Sequence, residues 1–206
     1  MDSDRKHQCD SKVRIIMDAA LVVFSRNGFH GSTMQDVATE AGVGKGTIYL
    51  YFSSKDQLLE AILTDVLQKY SERISEILSR DLDTRDKLRN LFEYTLRGAD
   101  RRGRQFSFIL AGGPDMGEQF RQKLLNIKNE IMKNLMDFVS ESINAGEIRP
   151  TDPYIAAHII SGTMNSLVTK HMWREDKFEQ LQGTAAGSCS EIADAAVDFL
   201  WEGMKQ

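Results

Sequence analysis

The chain is poor in cysteine, poor in proline, and has no long apolar run. Its two cysteines, Cys9 and Cys189, lie near opposite ends of 206 residues. That leaves no basis for a disulfide framework and makes a reducing cytoplasm the expected setting. The three prolines are Pro114, Pro150 and Pro153. Long stretches are therefore free of the residue that most strongly interrupts helices. No apolar segment approaches the roughly 20 residues of a membrane span, no secretory signal is evident, and no membrane partner is expected. Strand-like alternation is scarce, and no internal repeat or low-complexity tract is visible.

Positive charge is not in excess either. The net charge is −4. Residues 1–55 hold seven Lys/Arg against six Asp/Glu, and residues 56–206 hold 19 against 24. Charge alone therefore does not point to nucleic acid. Catalytic chemistry is equally unsupported. The four histidines, His7, His30, His158 and His171, show no metal-ligand spacing. Neither cysteine has a histidine close in sequence that would mark a nucleophile pair. Gly44-Lys45-Gly46 lacks the spacing of a phosphate-binding loop and follows no strand. No catalytic residue, metal or cofactor is expected, and the chain is not read as an enzyme.

What is present is helical periodicity throughout. The most specific stretch is residues 32–55. Thr33 is placed to cap a helix, with Asp36 as its reciprocal partner. Val37, Ala38 and Ala41 form an apolar stripe. Gly42 suits a helix end, and Gly44 is a workable cap for a second helix over Lys45 to Tyr51. Ile48 and Phe52 lie four apart and face inward, while Lys45, Gly46 and Thr47 crowd the N-terminal end. Ser54 with Gln57 opens a third, longer helix. Two short helices joined by a glycine turn fit the helix-turn-helix unit that enters the DNA major groove. Upstream, Ile16, Ala19, Ala20, Val23 and Phe24 predict a helix from Ser11 to Arg26, stopped by Asn27-Gly28. A domain this small buries little surface and should lean on the helix after Ser54.

These residues resemble the TetR family of bacterial transcriptional regulators. The resemblance rests on Ser32-Thr33, Ala41-Gly42-Val43, the run Gly46-Thr47-Ile48-Tyr49-Leu50-Tyr51-Phe52, and Lys55. It covers residues 11–62. Gly44 departs from the serine often found there, which removes one hydroxyl contact to phosphate. The resemblance implies that Gln35 and Lys45, Gly46 and Thr47 read base edges. Lysine suits guanine O6/N7, and glutamine suits adenine N6/N7. It implies that Thr33, Tyr49, Tyr51 and Lys55 grip the phosphate backbone, which sets register rather than sequence. Alternatives stay open. Tyr51 also suits the core, Gln35 the cap, and Lys55 an ordinary solvated helix start.

The expected fold is all-α with about nine helices. A tail over residues 1–10 is expected to be disordered. Residues 11–54 form a three-helix DNA-binding domain, and residues 55–206 a larger helical domain for effector binding and dimerisation. Within the latter, helices are predicted from Lys55 to Ser79 and from a Thr84 cap to a turn at Gly98 and Arg101-Arg102-Gly103-Arg104. A short apolar helix through Phe106 and Phe108 follows. Further helices open at Asp115, at Thr151-Asp152-Pro153, and at a Ser188–Glu191 capping box.

The resemblance implies a homodimer on a palindromic double-stranded operator, normally as a repressor. Ile159, Leu167, Ala196, Phe199 and Leu200 are the candidate interface, although such residues also suit a monomer's core. Phe92, Phe106, Phe108, Met132, Met136 and Met164 suit an adaptable apolar effector pocket, or equally a plain core. The Gly46–Phe52 run, Gly146-Glu147-Ile148 and Ile160-Ser161-Gly162-Thr163 resemble the fatty-acyl-CoA-responsive branch. That would make fatty acyl-CoA the effector, with Arg97, Arg101, Arg102 and Arg104 near its phosphates. The alternative is a solvated basic turn. The rival class for the whole chain is a helical ligand-binding or interaction protein without sequence-specific DNA binding.

Overall fold

The computed structural model describes the backbone of residues 2–110, 117–172 and 188–205, and the side chains of 11–99, 117–169 and 188–205. Among the described residues eight α-helices follow one another: α1 (Asp2–Asn27), α2 (Met34–Glu40), α3 (Lys45–Tyr49), α4 (Lys55–Leu78), α5 (Thr84–Leu110), α6 (Glu118–Asn144), α7 (Pro153–Met172) and α8 (Cys189–Met204). The described residues contain no strand, only an isolated bridge between Ile148 and Lys205. The all-α expectation holds.

Four of the expected capping signals are present. Asp36 N donates to Thr33 Oγ1 at 3.2 Å, and Thr33 N donates back to Asp36 Oδ2 at 2.8 Å. Ser188 and Glu191 make the same box at the start of α8. Gln57 N donates to Ser54 Oγ at 3.1 Å. Asp152 accepts from Tyr154 N at 2.8 Å, with Pro153 as the first residue of α7.

Three expectations change. The tail over residues 1–10 is helical from Asp2, continuous with the rest of α1. Neither glycine nor proline interrupts the chain before Gly28, and acidic residues at a helix N-terminus favour the dipole. The predicted turn at Gly98 and residues 101–104 is absent, because α5 runs unbroken to Leu110. That merges two expected helices and gives eight helices among the described residues, where nine were expected for the chain. A glycine inside a helix costs only about 1 kcal/mol relative to alanine. Leu88, Leu91, Phe92 and Leu96, in the turns before Gly98, are buried. Finally, Thr84 does not cap α5. Asp83 does, accepting from Asp86 N at 2.7 Å. Thr84 is buried, its hydroxyl donating to Ser142 Oγ at 2.7 Å and its N–H to Glu147 Oε2 at 2.7 Å. Asp115, expected to open α6, lies outside the described residues, and the helix starts at Glu118.

The chain forms two compact units. The first comprises residues 1–67 and 104–124, the second residues 68–103 and 125–206. In the first, Ile16, Ala20 and Phe24 of α1, Val37 and Ala38 of α2, Ile48 of α3, and Leu58, Leu59 and Ile62 of α4 make one core, joined by Phe120. The division between the units falls inside α4, whose first turns supply apolar surface to the core of α1, α2 and α3. In the second unit, Ile74, Leu88, Leu91, Phe92, Leu135, Val139, Ala157, Ile160 and Ala193 form the core of a helical bundle. Arg89 grips Asp194 through two bonds of 2.6 and 2.9 Å, tying the start of α5 to α8.

Candidate nucleic-acid interface

The reading element is built on a short, sharply wound frame. Gly28 and Gly42 both have positive φ, at 71° and 65°, so each turn uses the left-handed conformation glycine tolerates. Gly31 allows another close approach, since a Cβ there would lie 2.5 Å from Asn27 O. Ser32 is buried and donates to Gly28 O at 2.6 Å. An exposed Arg26–Glu40 ion pair at 3.4 Å links α1 to α2, a contact of small energetic weight.

On this frame, α2 is fastened by its capping box. Two hydrogen bonds from Thr33, the side-chain one first, hold the Asp36 carboxyl below its ordinary range. A lowered carboxylate pKa stabilises the folded state above that value and ceases to do so as pH falls through it. The box is therefore complete at neutral pH. It also occupies the Thr33 hydroxyl, which donates to Asp36 Oδ2 at 2.8 Å.

Helix α3 has only five residues and no side-chain cap at Gly44. Ile48 is its single buried side chain, fully enclosed in the first core. Lys45 and Gly46 are exposed, Thr47 is half-buried, and Tyr49 is 47% exposed. Gln35 of α2 is exposed as well. Tyr51 is half-buried and packs against the core, so its ring is partly structural. Lys55 turns inward. Its Nζ donates to Phe29 O at 2.6 Å and Ser32 O at 2.7 Å, and sits 4.4 Å from the centroid of the Phe29 ring.

Sequence reasoning missed Leu50, which is 81% exposed beside Tyr49. The signal was there: Ile48, Tyr51 and Phe52 share one face at spacings of three and four, and Leu50 lies off that face. It also gave no role to Gly31, whose requirement depends on a carbonyl four residues back.

The remaining candidate residues lie in the second unit. Ile159 and Phe199 are exposed, the latter at 83%. Tyr154 and Ile155 of α7, not singled out from sequence, add to the uncovered apolar surface. Ala196 and Leu167 are half-buried. Leu200, also among the expected interface residues, is buried in its own unit's core with Ala193 and Val197. Phe92 and Met164 are buried in that core, and Met132 and Met136 pack against it. The side chains of Phe106, Phe108, Arg101, Arg102 and Arg104 lie outside the described residues. Arg97 is ion-paired with Glu93. Near Met164, Thr95 Oγ1 lies 3.2 Å from the Tyr70 hydroxyl, and burial pushes the Tyr70 phenol up. Ser71 Oγ, among the described residues, is a buried hydroxyl with no hydrogen-bond partner. A separate cleft of about 330 Å³ is lined by Arg85, Asp86, Arg89, Asp194, Val197 and Asp198. Its arginines are ion-paired to Asp198 and Asp194. Among the described residues, no His/Cys/Asp/Glu group is arranged to hold a metal, and no helix is long and apolar enough to cross a membrane.

A short exposed helix anchored by one side chain, set behind a capped helix and a glycine turn, defines a helix-turn-helix regulator. Residues 16–62 match the family described as bacterial regulatory proteins, tetR family. The chain is 31% identical over 176 residues to the fatty acid metabolism regulator protein of Bacillus subtilis, covering 80% of this chain and 85% of that one. The chain belongs to the TetR family of bacterial transcriptional regulators. Among solved structures it resembles the transcriptional regulator FadR from Bacillus subtilis in complex with stearoyl-CoA. That match has a TM-score of 0.71 at 24% identity, over 92% of this chain and 98% of that one. It also resembles AibR in complex with isovaleryl coenzyme A and operator DNA, with a TM-score of 0.68 at 21% identity, over 92% and 98%.

Proposed function

We propose that this protein is a cytoplasmic, non-enzymatic repressor that binds a palindromic operator as a homodimer and is released by a fatty acyl-CoA. The observation that carries the DNA-binding part is α3. Ile48 is its one buried side chain, while Lys45, Gly46 and Tyr49 are exposed. Gly46 is telling. A Cβ there would meet nothing within 4 Å inside the protein, so the exposed start of α3 leaves room for an outside surface to approach the backbone.

In this reading Gln35, Lys45 and Thr47 read base edges, with Gly46 allowing approach. Tyr49 and Tyr51 contact phosphates, while Thr33, whose N–H and hydroxyl both donate to Asp36, fixes the start of α2. The uncovered Ile159 and Phe199 form the dimer contact with Tyr154 and Ile155. The acyl-CoA class is supported by the named ligands of the two structural relatives and by flexible Met132, Met136 and Met164 beside Phe92. Release follows if the effector binds better to a form whose two reading heads do not fit successive grooves.

Two measurements test this. The purified protein should shift a palindrome-bearing fragment from its own promoter region, with affinity falling steeply as salt rises. Lys45→Ala should cost about 1–3 kcal/mol of discrimination between operator and mismatched site, whereas Tyr49→Phe should weaken all sites alike. Long-chain acyl-CoA in excess over the dimer should release the operator; unchanged binding would remove acyl-CoA as the effector. Absence of any salt-sensitive, site-selective shift would favour the interaction-protein alternative.

A further inference from the structure

We propose that Lys55 is a positioning residue, an internal latch that fixes the α1–α2 turn to the start of α4, and not a phosphate ligand. Its importance for operator recognition rests on the DNA-binding reading above; the latch itself does not.

The ammonium has three donors. Two are committed to Phe29 O at 2.6 Å and Ser32 O at 2.7 Å, and the Phe29 ring lies 4.4 Å away. These partners are 26 and 23 positions earlier in the chain. A cation in the first turn of a helix opposes the helix dipole. Its place there needs another source of stabilisation, and two backbone carbonyls with an aromatic face supply it. The turn it grips is tightly specified, by positive φ at Gly28, by the close approach at Gly31, and by the buried Ser32 hydroxyl. Thr33, the cap of α2, follows directly. The latch thus sets the direction in which the chain enters α2, and with it the placement of Gln35 and α3.

The experiment uses the full chain carrying Lys55→Met, which keeps the apolar stem, and Lys55→Arg, which keeps the charge but replaces the compact ammonium with a planar fork. The first readout needs no DNA: amide hydrogen exchange of residues 28–34 in the free protein. The latch predicts at least about tenfold faster exchange there in both variants, because the open state gains population when the turn loses its bonds. The second is the dependence of operator affinity on salt. The latch predicts about tenfold or more weaker binding by both variants with the parent's slope. A phosphate contact predicts a slope shallower by about 0.9 per lost contact for Lys55→Met, and near-normal binding by Lys55→Arg. Unchanged exchange in residues 28–34 in both variants overturns the latch, as does full retention of parental behaviour by Lys55→Arg. If the parent binds no operator, the functional reading fails while the exchange result still decides the latch.

Discussion

Ile48→Ala is expected to abolish operator binding and to lower stability by about 2–5 kcal/mol, the usual cost of truncating a fully buried aliphatic side chain to alanine. The expectation follows from how little else holds α3. The helix has five residues, no side-chain cap, and Ile48 as its only buried residue. So short a helix has no stability of its own, since nucleation costs more than one turn of hydrogen bonds returns. Ile48 also touches the shared core to which α1, α2 and α4 contribute. Removing its methyls both cavitates that core and unfastens the reading helix. Thermal melting with a mobility-shift assay checks both effects. A variant that melts with the parent and shifts the same fragment at the same concentration would mean that α3 is held by its turns alone.

Phe199→Glu should have the second largest effect, and through assembly rather than folding. Phe199 is 83% exposed, so the substitution removes no internal packing. In a dimer the carboxylate would be buried against the partner without a counter-charge, a severe cost. Loss of the second half-site then removes the avidity of a linked pair, so binding to the full palindrome should fall by roughly 10²–10⁴-fold. Sedimentation should show a monomer, while the helical signal and melting of the isolated chain change little. A stable dimer with parental affinity would place the interface elsewhere than the Ile159–Phe199 surface.

The capping boxes at Thr33–Asp36 and Ser188–Glu191 were readable because their partners lie three residues apart. The same locality made Gly42 readable as a helix end and Ile48 with Phe52 as the inward pair. Leu50 was readable too, had the helical spacing been followed to its outward consequence. By contrast, no local rule distinguishes Thr84 as a cap from Thr84 as a buried link to Ser142, 58 positions away. Leu200 and Phe199 are neighbours with equal claim to an interface by composition, and only packing of α8 onto the second core sends one inward and leaves the other out.

The sequence by itself determined the helical class, most helix ends, and the helix-turn-helix signature that places this chain among TetR-family regulators. Each depends on interactions within about one turn of helix. The tertiary structure decided that α5 continues past two glycines, that Leu200 is core, and that Lys55 faces a turn rather than solvent. For Leu200 the deciding contribution is burial against residues distant in the chain, and for Lys55 it is two carbonyls 26 and 23 positions earlier. Hydrophobic patterning says which residues need cover, but it does not say which distant segment supplies it.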